Sequence, residues 1–150
     1  MQLNIMSYRG LDGLPFGATP DLFTTTLGLP RLQRKNRSGE TVQHFNGFMI
    51  CFESRTNQFR ECTFVYETPV HLNGVAVNWS TAGLLGLCMQ DSNPMQCGGV
   101  VVLMSLGIAI SGIADDDLSE RSLSAFRSGE WDIFNERLEQ FDHKSFIDAH

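Results

Sequence analysis

Hydrophobic and polar residues alternate with a period of two over residues 48–53 and again over residues 59–66. This period is typical of strands that bury one face. The dipeptide Asn46-Gly47 precedes the first of these segments, and Asn-Gly favours a two-residue hairpin turn because both positions take positive φ. With a further strand predicted over residues 40–45, the pattern predicts an antiparallel meander in the first half of the chain.

The segment before the meander predicts one short helix over residues 20–27. Pro20 suits the first helical position, because its missing N–H would be unbonded there anyway. Thr19 is placed to cap the first amides, and Gly28 suits a left-handed exit from the helix. Pro30 then prevents the helix from continuing.

The second half of the chain predicts another mixture of helices and strands. A helix is expected over residues 81–89, with Ser80 or Thr81 as its cap. Four apolar residues near the end of the chain recur at helical spacing and predict an amphipathic helix of about three turns. These four are Trp131, Phe134, Leu138 and Phe141. The predicted strands of the chain outside the meander cover residues 2–8, 70–72, 75–77, 100–104, 108–113 and 122–127, with turns or loops at 10–13 and 91–99.

These elements predict an α+β fold with one antiparallel sheet or two smaller sheets and with helices packed on one face. The length of 150 residues fits a single globular domain over residues 1–150. The order strand, helix, meander occurs in residues 1–66 and again in residues 67–150. We therefore hold a tandem structural duplication as a hypothesis, although short α+β units also recur by geometry alone.

Charge is distributed unevenly along a chain whose formal net charge is −6. Residues 1–66 carry seven Lys/Arg and five Asp/Glu, whereas residues 67–150 carry four and twelve. The acidic second half disfavours binding of nucleic acid or anionic membranes, which need positive charge. No apolar run reaches the roughly 20 residues of a membrane span, and no basic-then-apolar leader is visible, so a cytoplasmic location is expected.

The cysteines and histidines do not predict a metal site or a cofactor. Neither residue type shows the closely spaced ligand pairs that structural zinc requires. Cys51 and Cys62 could approach each other across a hairpin, but without an export signal we expect reduced, buried thiols.

An acidic loop around residues 115–120 is the strongest candidate for contact with a partner. Its three consecutive aspartates point in different directions and lack the glycine of a calcium loop, so a charged surface loop is favoured over a cation site. Trp79, between a predicted strand and a helix cap, is a candidate interface anchor, since tryptophan often dominates binding energy. The predicted partner-binding residues are Asp115, Asp116, Asp117, Glu120, Glu130, Asp132 and Trp79.

Catalysis has one weak candidate in this sequence. Cys88 follows a glycine-rich helix, with His71 and Asp91 as conceivable partners, but its apolar surroundings favour an inert core thiol. Arg31, Arg34, Lys35 and Arg37 form the sole basic cluster, which lacks interleaved aromatic residues; we expect it to solvate a loop or to pair with the acidic half of a second copy.

The pattern Phe16-Gly17-x-Thr19-x-Asp21-hydrophobic, ending in Leu27-Gly28-x-Pro30, resembles small bacterial α+β modules. The relevant modules are the β-lactamase-inhibitor-like proteins and the outer-membrane-assembly lipoproteins, and the likeness covers residues 16–66. The resemblance implies a helix followed by a meander. The second half resembles acidic immunity-type proteins through residues 106–112 and 128–132. Neither resemblance carries over a functional residue.

Three hypotheses of function follow from the sequence. The first is a non-enzymatic protein-binding module, immunity-type or inhibitor-like, that binds a basic partner protein through its acidic residues. The second is a small enzyme or ligand-binding protein with a pocket between sheet and helices around Cys88. The third is a self-associating protein, such as a homodimer, that uses an exposed strand edge, for example the strand after Asn46-Gly47.

Overall fold

The alternating segments of the first half form neighbouring strands. The computed structural model describes residues 3–141, without the side chains of residues 133–135. The strands before the first helix are β1 (Asn4–Met6), β2 (Gly10–Leu11) and β3 (Leu14–Pro15). After helix α1 (Pro20–Leu27) come β4 (Leu32–Lys35), β5 (Thr41–His44), β6 (Phe48–Phe52) and β7 (Phe59–Val65). The predicted meander is thus confirmed, and it begins one strand earlier than the sequence indicated.

Helix α1 has the predicted bounds but not the predicted cap. Thr19 has the extended backbone of a cap residue, yet its side chain makes no capping hydrogen bond, so that prediction was wrong. The hydroxyls of Thr24 and Thr25 donate to carbonyls one turn back, which is the usual alternative for a helical threonine. Gly28 ends the helix with φ of 87°, the left-handed exit that favours glycine.

The second half repeats the mixture of strands around a second helix. Its first elements are β8 (His71–Leu72), β9 (Val75–Ala76) and α2 (Thr81–Gln90), with Ser80 accepting a capping hydrogen bond from Gly83 N. The remaining elements are β10 (Met95–Cys97), β11 (Val100–Leu103), β12 (Ile108–Ser111), a 3-10 helix (Leu118–Glu120), β13 (Ser122–Phe126), a second 3-10 helix (Asp132–Arg137) and β14 (Glu139–Gln140).

Across residues 3–141 the strands form two sheets in a broadly α+β fold. The small sheet has the order β3-β2-β1-β8-β9, and β1 runs parallel to β8. The large sheet has the order β14-β10-β11-β12-β13-β7-β6-β5-β4, and its neighbouring strands are antiparallel. Strands β7 and β13 therefore join the meander of the first half to that of the second.

Two groups of apolar side chains lie on the large sheet. Cross-strand neighbours such as Leu123 and Phe64 belong to the main core, which also contains residues of the small sheet and both helices. Phe23 of α1 is fully buried there, with its ring centroid 5.2 Å from that of Phe52 and 4.8 Å from that of Phe59. A smaller cluster of Val102, Ala109 and Phe126 is packed by Tyr8, Met104, Val100, Trp131 and Leu138.

The predicted terminal helix is wrong over the described residues. Asp132–Arg137 form a short 3-10 helix, and Glu139–Gln140 then extend as a strand beside β10. Leu138 packs on the smaller cluster while Phe141 joins the main core, so extended backbone carries the chain from one cluster to the other. Phe134 was also predicted on the apolar face of this helix, but its side chain lies outside the part of the chain that the structure describes.

Four other predictions need correction. The strand after Asn46-Gly47 is β6, which lies between β5 and β7 and has no exposed edge. The predicted turn at 10–13 is confirmed at residues 12 and 13 only, because Gly10–Leu11 form β2 and pair with β3, and the predicted loop at 91–99 contains β10. The basic segment at 31–37 is not a loop, because it forms β4.

The cysteines are free, and Cys51 and Cys62 face opposite sides of the sheet. Cys51 lies opposite Glu61, and Cys62 lies opposite Ile50, which is the residue before Cys51. Because successive side chains of a strand point to opposite faces, the two cysteines lie on different faces. Along the described residues, no helix has the length and apolar character needed to cross a bilayer.

Candidate functional site

A β-bulge between β6 and β7 brings ionisable side chains together. Cys51 pairs with Glu61, but the next pair is Phe52 with Phe59, so Arg60 is an extra residue without a partner on β6. Because a bulge re-aims side chains, Arg60 lies beside Glu61 instead of pointing to the opposite face. The arginine Nη1 and the glutamate Oε2 are 3.3 Å apart.

Arg60 is the centre of an ion-pair network drawn from several parts of the chain. Its Nε and Nη2 both donate to Glu40, the latter over 3.1 Å. Its Nη1 lies 3.4 Å from Oε2 of Glu130, and Arg127 Nε donates to the other oxygen of Glu130. The side chain of Arg60 is 21% exposed and that of Glu40 is 14% exposed, so solvent screens this network only in part.

Two turns position the outer carboxylates. The β4–β5 turn places Glu40, whose backbone N–H donates to Asn36 Oδ1 over 3.0 Å while the Asn36 amide donates to Oε1 of Glu40 over 3.1 Å. The turn after β13 places Glu130, whose N–H donates to the carbonyl of Arg127 over 3.4 Å. Sequence segments about 90 residues apart therefore meet through the β7–β13 pairing.

These residues line an open cleft of about 660 Å³, which we call the bulge cleft. Four of its lining side chains are carboxylates and two are guanidiniums, so the cleft has a formal excess of two negative charges. Trp131 adds an aromatic wall. The lining residues are Ser38, Glu40, Glu53, Ser54, Arg60, Glu61, Arg127, Glu130 and Trp131.

The network shifts the pKa of its members in opposite directions. The hydrogen bond from Arg60 lowers the pKa of Glu40 below its usual range. Burial raises the pKa of Glu61, and repulsion from Glu130 adds to this effect although Arg60 opposes it. Burial also raises the pKa of Cys51 to about 11, so this thiol stays protonated at neutral pH.

Neutralising Glu40 and neutralising Glu61 should therefore change stability in opposite directions. A carboxyl whose pKa is lowered by folding stabilises the fold at pH values above its ordinary pKa, and this contribution is lost as pH falls. A carboxyl whose pKa is raised by folding destabilises the fold at neutral pH. At pH 7 we expect Glu40→Gln to lower the free energy of unfolding by about 1 kcal/mol and Glu61→Gln to raise it by less than about 1 kcal/mol. Both differences should vanish at acidic pH, once the wild-type carboxyls are protonated.

Urea unfolding between pH 3 and 8 measures this contrast. Glu139→Gln is the matched control, because it removes the same charge from a glutamate that is exposed on β14. Equal effects of all three variants, or a deficit of Glu40→Gln that does not shrink as pH falls, would contradict the assigned pKa directions.

The structure separates the predicted partner-binding residues into several places. Glu130 lines the bulge cleft, and Asp132 is exposed at the start of the neighbouring 3-10 helix. Asp115 and Glu120 line a different cleft of about 350 Å³, together with Gly98, Gly99 and Gly112 among others.

The other three predicted contact residues, Asp116, Asp117 and Trp79, either form hydrogen bonds within the protein or are simply exposed. Asp117 caps the first 3-10 helix by accepting from Ser119 N over 3.0 Å, and its side-chain bond to Ser119 lowers its pKa. Asp116 is exposed. Trp79 is 9% exposed and donates its indole N–H to the carbonyl of Thr68 over 3.0 Å, so it offers a partner little area.

The three residues considered for catalysis do not hydrogen-bond to one another through their side chains. Cys88 is fully buried, and burial raises its pKa to about 11. Asp91 accepts from the backbone and hydroxyl of Ser105 over 3.0 and 2.8 Å. His71 Nδ1 is buried without a hydrogen-bond partner. A nucleophile and its base need such a contact, and this group lacks it.

The sequence contains one signal for the bulge, which a simple period of two over residues 59–66 does not include. The buried residues of β7 are Phe59, Cys62 and Phe64, spaced by three and then by two. A change from period two to a step of three marks an inserted residue in a strand. Arg60 and Glu61 fall inside that step. Nothing comparable in the sequence indicates that Glu40 would join them.

Within residues 3–141, no group of three or more His, Cys, Asp or Glu side chains is arranged to hold a metal ion. Comparisons with family models, curated proteins and solved structures gave no significant match to this chain. The resemblances to β-lactamase-inhibitor-like modules and to immunity-type proteins therefore stay predictions.

Proposed function

We propose that this protein is a non-enzymatic protein-binding module that holds a basic side chain of its partner in the bulge cleft. The observation that carries the proposal is the excess of carboxylates over guanidiniums in a cleft with an aromatic wall. Complementary charge steers such a partner and fixes its register. The net charge of −6 favours approach of a basic protein from a distance. An immunity-type or inhibitor-like role would follow if this contact blocks the partner.

The internal ion pairs leave capacity for an incoming cation. Strong charge-assisted hydrogen bonds between guanidinium and carboxylate are about 2.7–2.9 Å long. The distances from Arg60 to Glu61 and Glu130 are 3.3 and 3.4 Å, so these two carboxylates bind it loosely. Arg60 donates twice to Glu40, so Glu61 can turn toward a partner without releasing the arginine. Glu130 keeps one oxygen on Arg127 and can offer the other.

Isothermal titration with a short peptide of alternating arginine and glycine tests this proposal. We expect Glu61→Gln and Glu130→Gln each to weaken binding about tenfold, the loss of one close charge pair. Glu61→Gln is the more informative variant, because we expect it to stabilise the fold, so weaker binding would not be explained by unfolding. Asp116→Asn removes the same charge from the acidic loop and should change affinity less than about twofold.

Two outcomes would overturn the assignment. Absence of peptide binding at low ionic strength would remove the cation-binding role altogether. A loss caused by Asp116→Asn and not by the cleft variants would move the contact to the acidic loop.

We also propose a cytoplasmic location, because four free thiols suit a reducing compartment.

For the fold, we propose that the helices pack on one face and that the two halves are a structural duplication. The helices both contribute to the main core, α1 through Phe23 and α2 through Leu84 and Leu85. Each half orders its elements as hairpin, helix, meander, and the two meanders meet at β7 and β13. These features support a duplication of residues 1–66 and 67–150.

A further inference from the structure

Strand β4 lies at one end of the large sheet and pairs only with β5 within the described residues. Residues Leu32–Lys35 are all exposed. An edge strand presents unpaired backbone N–H and C=O groups, which are a template for another strand.

The register shows which backbone groups of β4 are available. Asn36 N–H donates to the carbonyl of Glu40 over 3.0 Å, and pairing continues along β4 in the same register, with Arg34 opposite Val42. Antiparallel ladders alternate bonded and non-bonded pairs. Leu32 and Arg34 therefore direct their backbone groups to β5, whereas Gln33 and Lys35 direct theirs to the free edge.

The same strand has an unbalanced positive charge. The span 31–37 contains four Lys or Arg residues and no Asp or Glu. None of these four is in a salt bridge in the described part of the chain, and Arg34 donates its Nε only to His44, over 3.2 Å. Two leucines lie beside the charges, Leu29 with 84% and Leu32 with 54% of their surface exposed.

We propose that β4 accepts an extended acidic segment of a partner protein as an additional strand. Backbone bonds to Gln33 and Lys35 would supply the affinity of strand addition, and side chains would supply the specificity. Carboxylates of the segment would lie opposite Arg34 and Lys35, and apolar residues would cover Leu32. This surface is distinct from the bulge cleft and takes a ligand of the opposite charge.

The residues of this edge also decide against two other occupants. A second copy of the span 31–37 would place four cations opposite four cations, and like charges across a strand pair are destabilising. A nucleic acid would find no aromatic residue in the span 29–37 on which a base could stack.

An NMR titration with a synthetic peptide of alternating glutamate and valine tests the proposal on the full chain. We expect shifts of the β4 and β5 amides, and slowed hydrogen exchange at Lys35 N–H. Lys35→Pro removes that edge N–H without removing a bond to β5, and it should weaken binding at least about tenfold. Lys35→Ala is the matched control, because it loses the charge but keeps the N–H, and it should weaken binding about threefold.

Each alternative gives a different result. No amide shift in β4, or equal affinities of Lys35→Pro and Lys35→Ala, would overturn strand addition. Tighter binding of a single-stranded DNA oligomer than of the peptide would assign the edge to nucleic acid instead. A dimer in light scattering that Lys35→Pro dissociates would assign it to a second copy. None of these outcomes bears on binding of the arginine peptide in the bulge cleft, so the two proposals fail separately.

Discussion

Replacement of Arg121 by methionine should lower the free energy of unfolding by about 3 kcal/mol. Arg121 is 2% exposed and is in no salt bridge within the described residues. Its guanidinium donates to the carbonyl of Trp79 over 2.8 Å and to the hydroxyl of Thr81 over 2.6 Å. A further donation reaches the carbonyl of Ile113 over 3.4 Å. Methionine fills similar space but leaves the buried carbonyls of Trp79 and Ile113 without this donor.

Urea unfolding of three variants separates this explanation from a simple change of volume. Arg121→Lys keeps the charge but cannot reproduce the planar fork, so we expect a loss of about 2 kcal/mol. Arg55→Met alters an exposed arginine and should stay within about 0.5 kcal/mol of the wild type. An Arg121→Met protein as stable as the wild type would show that the bonds around the start of α2 contribute nothing net.

The second large effect is expected at Gly83 in α2. Alanine normally stabilises a helix relative to glycine by about 1 kcal/mol. At this position a Cβ atom would lie 2.4 Å from the backbone oxygen of Asn78, which is closer than atoms can approach. The segment before the helix folds back onto its first turn, with Asn78 Oδ1 accepting from Ser80 N over 3.0 Å. We therefore expect Gly83→Ala to destabilise the protein by about 2 kcal/mol.

Gly86, one turn further along α2, is the matched control. A Cβ atom added there meets nothing within 4 Å. Gly86→Ala should consequently follow helix propensity and stabilise the protein by about 1 kcal/mol. Thermal unfolding of both variants gives the sign of each effect directly. If both alanines stabilised the protein, the close approach of Asn78 would be wrong.

Local signals in the sequence were sufficient where neighbouring residues determine the structure. Pro20 and Gly28 fixed the bounds of α1, and the alternation around Phe48 and Phe64 predicted paired strands. Ser80 was correctly placed at the start of α2 because capping depends on residues three positions apart.

Features that depend on distant segments could not be predicted in this way. Strand β4 lacks alternation of hydrophobic and polar residues because both of its faces are exposed, so its sequence is typical of a polar loop. Residues 139–140 become a strand because β10 provides a partner, not because of their own propensity. The bulge cleft combines Glu40, Arg60 and Glu130, which only the strand order of the large sheet brings together.

The β4–β5 hairpin connects the two proposed surfaces. Its turn contributes Ser38 and Glu40 to the bulge cleft, while its outer strand contains the basic edge. A partner with an acidic strand followed by a basic side chain could thus occupy both surfaces at once. Linked binding of that kind strengthens attachment without new contacts at either surface.

The parallel pairing of β1 with β8 affects how the chain can fold while it is being made. One edge of β1 pairs with the nearby β2, but the other edge pairs with β8, where Asn4 lies opposite His71, some 67 residues later in the chain. Strand β7 likewise waits for β13, and until then its edge is open to solvent. Because synthesis proceeds from the N-terminus, these edges of β1 and β7 stay unpaired in a ribosome-bound first half until β8 and then β13 emerge.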